Sequence, residues 1–242
     1  AVLGAVAGKY RRRVTSSVNQ PHGIPAHAPA AAREVPLAAI PWWGLVSAAL
    51  APVLLLAGYL YAASLTSSYA LVTTTVSDLG AVETPTRWLM AFTLVFVGMA
   101  HVATALALRP VDVAGRWILA AGGIAMIVLA FVPNNVVGKF YMRHTLASAF
   151  TFGLLAFWPA MSARMGSGVP WPLRRRVAMV ISLVSFVLIQ VTLWGMILRA
   201  STDGIRELAL YVFTASWPLV VVLWVHLRGG TALPLTSARR AG

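Results

Sequence analysis

Residues 174–199 read RRRVAMVISLVSFVLIQVTLWGMILR. Between the arginines at its two ends, the run from Val177 to Leu198 contains no charged residue. A hydrocarbon core of about 30 Å is crossed by a helix of about 20 residues, because each residue advances the helix by about 1.5 Å. This run therefore has the length and the composition of a transmembrane helix.

Five further apolar runs predict that the chain crosses the membrane six times. In lipid, the backbone groups of a spanning segment must be paired within that segment, which a helix achieves and an isolated strand does not. We therefore expect an all-α, integral membrane bundle of six transmembrane helices. The predicted helices are Trp43–Ala63, Trp88–Leu108, Trp117–Val132, Thr145–Ala163, Val177–Leu198 and Leu208–Leu227, of which the third is short.

The composition of the whole chain agrees with a membrane location. Of its 242 residues, 59% are hydrophobic and 10% are charged, whereas a soluble domain carries about a quarter charged residues. The chain has no cysteine, which excludes disulfides, thiolate metal sites and thiol nucleophiles. Its net charge of +13 does not indicate a nucleic-acid partner, because apolar runs of bilayer length separate the basic residues.

The distribution of basic residues predicts the orientation of the helices. Fourteen of the 19 Lys and Arg residues lie in the two tails and in the second and fourth loops. Cytoplasmic segments carry the excess of basic residues in membrane proteins. We therefore expect a multi-pass protein of the cell inner (plasma) membrane with both termini in the cytoplasm. The other three loops hold only Arg87, Lys139, Arg143, Arg199 and Arg206.

Three regions follow from this topology. Residues 1–41 form a basic and then Pro/Ala-rich cytoplasmic tail, residues 42–228 the six-helix transmembrane domain, and residues 229–242 a short basic cytoplasmic tail. The first residues are apolar and precede the basic cluster, the reverse of the order in a cleavable secretory signal. We expect the first tail to lie on anionic lipid through Lys9–Arg13, or to dock on a partner protein.

Short motifs near the predicted helix ends carry a resemblance to a known family. Residues 43–227 resemble the bacterial and archaeal membrane proteins catalogued as domain-of-unknown-function family 998. The resemblance implies a six-helix fold and no established activity. The motifs are Ser77-Asp78-Leu79-Gly80, Gly98 with His101–Leu108, Val132-Pro133 followed by His144, and Gly204-Ile205-Arg206-Glu207.

Polar residues are predicted to gather at the external ends of the helices. If the helices form a bundle, these side chains converge on one external mouth. The candidate residues of this external polar cluster are Ser77, Asp78, Arg87, His144, Arg206 and Glu207.

Three interpretations of the cluster remain open. Carboxylates near helix N-termini stabilise the helix dipole, which is a purely structural role. Mixed carboxylate, guanidinium and imidazole groups above an apolar cleft also suit a zwitterionic or phosphorylated lipid headgroup. Hydrolysis would use Asp78 and His144 as base and orienter with Ser77 as nucleophile, but spacing alone does not establish that geometry. We assign no catalytic residue, and one external histidine does not indicate a zinc site.

Two polar residues are predicted to lie within the membrane, His101 and Gln190. A haem held by two histidines would need His226 at the depth of His101, but the helix rise separates their depths by roughly 9 Å. We therefore expect no cofactor. A neutral His101 is expected to form a hydrogen bond to a neighbouring helix, with Gln190 or Thr192 as its partner.

The sequence contains no catalytic signature and no phosphate-binding loop. We therefore expect a non-catalytic accessory or scaffolding subunit of a larger membrane protein complex, which docks through its helices and its N-terminal tail. The alternative is a lipid-binding or lipid-modifying membrane protein that uses the external polar cluster. The sequence does not decide whether the protein is an enzyme.

Overall fold

The computed structural model describes residues 34–35, 40–67, 69–137, 139, 141–166, 168–198, 201–227 and 233–234. They belong to one compact unit, Glu34–Gly242. The other unit, Ala1–Arg33, and with it most of the tail expected to dock on lipid or a partner, lies outside the described residues. The elements are β1 Glu34–Val35, α1 Trp42–Ser64, α2 Arg87–Ala107, α3 Val113–Leu129, α4 Met142–Met161, α5 Arg175–Leu198, α6 Asp203–Leu227 and β2 Leu233–Pro234.

The expectation of a helical membrane protein is confirmed in its main outline. Four helices, α1, α2, α5 and α6, are long and apolar enough to cross a membrane. The third predicted helix is short, as expected, with 17 residues in α3. Within the described residues, the departures from an all-helical chain are the antiparallel pairing of β1 with β2, two residues each, and an isolated β-bridge between Arg164 and Arg174.

All six helices begin earlier than the hydropathy pattern predicts, and α3, α4 and α6 do so by three to five residues. α3 begins at Val113 because the Asp112 side chain accepts a hydrogen bond from the Ala114 N–H, 2.9 Å away. α4 and α6 likewise include polar first turns, which hydropathy assigns to loops. His144 and Glu207 are therefore residues of the helices themselves, rather than of the loops that precede them.

The six helices pack in a ring that follows the order of the chain. Each helix contacts the next, and α6 closes the ring against α1. α2 and α3 approach most closely at two glycines, since a Cβ on Gly98 would lie 2.5 Å from the carbonyl oxygen of Gly123. Small residues allow this contact between helix backbones, which is a main source of packing energy in lipid.

The ring order contradicts the hydrogen bond expected for His101. His101 is fully buried on α2, which packs against α1 and α3, whereas Gln190 and Thr192 lie on α5, which packs against α4 and α6. Neither ring nitrogen of His101 has a hydrogen-bond partner among the described residues. Gln190 is exposed on the outer surface of α5. Such a hydrogen bond requires α2 and α5 to be neighbours in the bundle, which the sequence does not show.

Candidate functional site

The loop between α1 and α2 contains a short 3₁₀ turn, Ser77–Gly80. The Thr75 N–H donates to Asp78 Oδ2 at 3.1 Å, and the Asp78 N–H donates to Thr75 Oγ1 at 3.1 Å. Each side chain thus satisfies a backbone donor of the other residue, as in the capping boxes of helices. The exchange holds the Asp78 carboxylate against the start of the turn.

This loop docks on the first turn of α6. The Ser77 N–H donates to Glu207 Oε2 at 3.0 Å, across 130 residues of sequence. The Gly204 N–H donates to the carbonyl oxygen of Val72 at 3.0 Å. A Cβ on Gly204 would collide with the carbonyl oxygens of Leu71 and Thr74, so the loop backbone lies directly against the helix. The buried Glu207 carboxylate therefore connects the loop to the helix bundle.

His144 lies in the first turn of α4 and is buried. Its Nδ1 is 2.6 Å from the carbonyl oxygen of Val132, so this nitrogen carries a proton and donates. Its Nε2 is 3.3 Å from the Ser148 hydroxyl, one turn further along α4. With the hydroxyl as donor, Nε2 accepts and the ring is a neutral imidazole. The Val132 carbonyl therefore orients the ring.

A cleft lies beside His144, with walls from α4, α5 and α6, and we call it the polar cleft. It is partly open and its volume is about 50 Å³, which suits one small polar group more than a whole organic molecule. Thr192 is 6% exposed, and its hydroxyl has no hydrogen-bond partner among the described residues. The polar lining is His144, Thr145, Ser148, Thr192 and Glu207, and the apolar lining includes Phe152, Ile189, Leu193 and Leu210.

A second, smaller cavity shares His144 with the polar cleft. Ser77, Arg87 and Tyr211 also line it, so it lies between the start of α2, the start of α4 and the first turns of α6. The Arg87 guanidinium stacks 4.9 Å above the ring of Trp88. His144 therefore lines both the polar cleft and this second cavity.

An outer chamber of about 530 Å³ lies above the loop, lined in part by Tyr69, Asp78 and Glu83. The Tyr69 hydroxyl donates to the Tyr59 hydroxyl at 3.0 Å, and burial raises the pKa of Tyr69 above its ordinary value. Glu83 Oε1 accepts from the Val137 N–H at 2.9 Å, which joins the loop to the segment between α3 and α4. These two hydrogen bonds therefore hold polar residues of the chamber wall in place.

The structure brings most of the predicted cluster together. Ser77, Asp78, Arg87, His144 and Glu207 all line cavities at this end of the bundle. Arg206 is the exception, because its guanidinium pairs with Asp203 at 3.8 Å and lies against Gly195 on α5.

The lining residues that sequence reasoning missed include Ser148, Thr192 and Tyr211. Ser148 follows His144 by four residues, the spacing that places two side chains on one face of a helix, so it was detectable from the sequence. Thr192 was considered only as a partner of His101. Among the described residues, no group of three His, Cys, Asp or Glu side chains is arranged to hold a metal ion.

Comparison with known protein families gives a match over most of the chain. A family model described as "Protein of unknown function (DUF998)" matches residues 49–224, a range that begins within α1 and ends within α6. No curated protein and no solved structure matches the chain.

Proposed function

The chain belongs to the DUF998 family of proteins of unknown function, and we propose that it is a lipid-binding protein of the plasma membrane. In this proposal all six helices cross the bilayer, and both termini are cytoplasmic. The polar cleft then lies in the external leaflet, where it holds a polar group of a membrane lipid. The proposal is one of binding, and no reaction is assigned to Asp78 or His144.

The observation that carries the proposal is the Thr192 hydroxyl. A buried hydroxyl without a partner costs about 1–3 kcal/mol, so such groups are normally satisfied by protein, water or ligand. Thr192 lines the polar cleft, as do His144 and Glu207. A hydroxyl, amine or phosphate oxygen of a headgroup would satisfy Thr192 there.

The shape of the cleft favours a lipid over a water-soluble metabolite. The cleft admits only a small group, and its apolar walls include Phe152, Ile189 and Leu193. A lipid would insert part of its head between α4 and α5 while its acyl chains lie along the outer surfaces of those helices. Zwitterionic and phosphorylated heads both suit the mixture of carboxylate and imidazole groups.

We expect Thr192→Val to weaken lipid binding roughly three- to tenfold, because one hydrogen bond is worth about 0.5–1.5 kcal/mol. The measurement is native mass spectrometry of the purified protein, titrated first with phosphatidylethanolamine and then with phosphatidylglycerol. The matched control is Thr214→Val, since the buried Thr214 hydroxyl donates to backbone carbonyls of its own helix. Equal lipid binding by both variants would contradict the proposal.

A second candidate function is that of an accessory or scaffolding subunit in a larger membrane complex. It is favoured by α5, which is the least buried of the four long apolar helices and offers a long outer face to another protein. Affinity purification of the full chain in mild detergent tests it. A stoichiometric partner that is lost when residues 1–40 are deleted would support this function, and a protein that is isolated with lipid alone would oppose it.

A further inference from the structure

The side chain of Gln190 lies on the outer surface of α5, deep within a span that crosses the membrane. Gln190 is eight residues from the Leu198 end of the helix, which corresponds to about 12 Å along its axis. The amide is exposed, and it has no hydrogen-bond partner among the described residues. It therefore faces hydrocarbon if α5 is surrounded by lipid alone.

An amide in hydrocarbon is unfavourable unless its donors and acceptor are paired. At a depth of about 12 Å from the helix end, the short glutamine side chain does not reach the interface. Polar side chains at such positions form hydrogen bonds between transmembrane helices. A protein surface that covers Gln190 must therefore present both a hydrogen-bond donor and an acceptor at the same depth.

From this we infer that α5 pairs with α5 of a second copy of the chain, with Gln190 at the centre of the contact. All copies cross the membrane in the same direction, so a twofold axis along the membrane normal places Gln190 opposite Gln190 of the other copy. A glutamine amide contains a donor and an acceptor, and two such amides satisfy each other. A second copy therefore supplies the required chemistry at the required depth.

The residues around Gln190 have the spacing of a helix–helix seam. Exposed apolar residues recur at alternating intervals of three and four along this face of α5. Side chains repeated at this spacing lie along one side of the helix. There they can pack against a parallel helix in a left-handed pair. Thr192 and Leu193, which line the polar cleft, lie outside the stripe. The stripe is Val180, Leu183, Val187, Gln190, Trp194 and Ile197.

The absence of cysteine from the chain allows a direct test by disulfide cross-linking. We expect Val187→Cys, in otherwise unchanged protein in native membranes, to form a disulfide-linked dimer on mild oxidation. The matched control is Phe96→Cys, because Phe96 is also exposed and lies near the middle of α2. Efficient cross-linking at position 187 and little at position 96 is the expected result. Equal cross-linking at both positions, or none at 187, would overturn the inference.

The contribution of the amide is tested by Gln190→Leu. We expect the association constant of the dimer to fall roughly five- to thirtyfold. The measurement is energy transfer between labelled copies in liposomes. Gln190→Asn, which retains an amide, should lose less. Unchanged dimerisation of a monodisperse Gln190→Leu protein would overturn the role of the amide. A photo-reactive residue at position 187 that captures a different protein, with no second copy, would overturn the choice of partner.

Discussion

Gly98→Ala is expected to lower the free energy of unfolding by about 1–3 kcal/mol, the usual cost of overpacking a dense core. The new methyl group would lie 2.5 Å from the carbonyl oxygen of Gly123 and 2.7 Å from Ile127 Cγ1. Neither atom is the far end of a flexible side chain, so α2 and α3 would have to separate. Because helix packing in lipid depends on close contact, the loss extends along the interface between the two helices.

Gly153→Ala provides the matched control for this substitution. Gly153 lies within α4, and a Cβ at this position would meet no atom within 4 Å. Alanine there should be neutral or slightly stabilising, because its helix propensity exceeds that of glycine by about 1 kcal/mol. The two variants can be compared by unfolding in mixed micelles with increasing SDS. Equal stability of both would show that the glycine contact does not limit the packing of α2 on α3.

Glu207→Leu should release the loop before α2 from the helix bundle. The change leaves the Ser77 N–H without its acceptor, and a buried unsatisfied donor costs about 1–3 kcal/mol. Glu207 also lines the polar cleft, so the same substitution removes a carboxylate from the cleft. We expect a lower unfolding temperature together with greater access of water to the loop.

Access to the loop can be measured with a single cysteine at position 76. Val76 is 1% exposed, so Val76→Cys should react slowly with a water-soluble maleimide in the parent protein and quickly after Glu207→Leu. Glu207→Gln is the control, because its amide oxygen still accepts from Ser77 and should keep the cysteine protected. Equal labelling rates in all three proteins would show that the loop is held without this hydrogen bond.

The candidate site was partly predictable because its residues lie near helix ends. Ser77, His144 and Glu207 were selected from topology, since alternate helix ends of a membrane bundle lie on the same side. Arg206 was selected by the same argument, yet its side chain points to Asp203 and Gly195. All four residues lie near the helix ends at one end of the bundle, as the argument expected. Arg206 differs from the other three residues because its side chain leaves the helix in another direction.

Hydropathy is a property of neighbouring residues along the chain, so the sequence by itself determined that this is a helical membrane protein. It also placed each helix, with the largest errors at the starts of α3, α4 and α6. Only the tertiary structure decided the ring order of the helices, and with it the isolation of His101 from Gln190 and Thr192. It also decided that Thr192 faces the polar cleft and that Gln190 faces outward. Each of these facts depends on contacts between distant segments, and such contacts arise from shape and packing that no local pattern records.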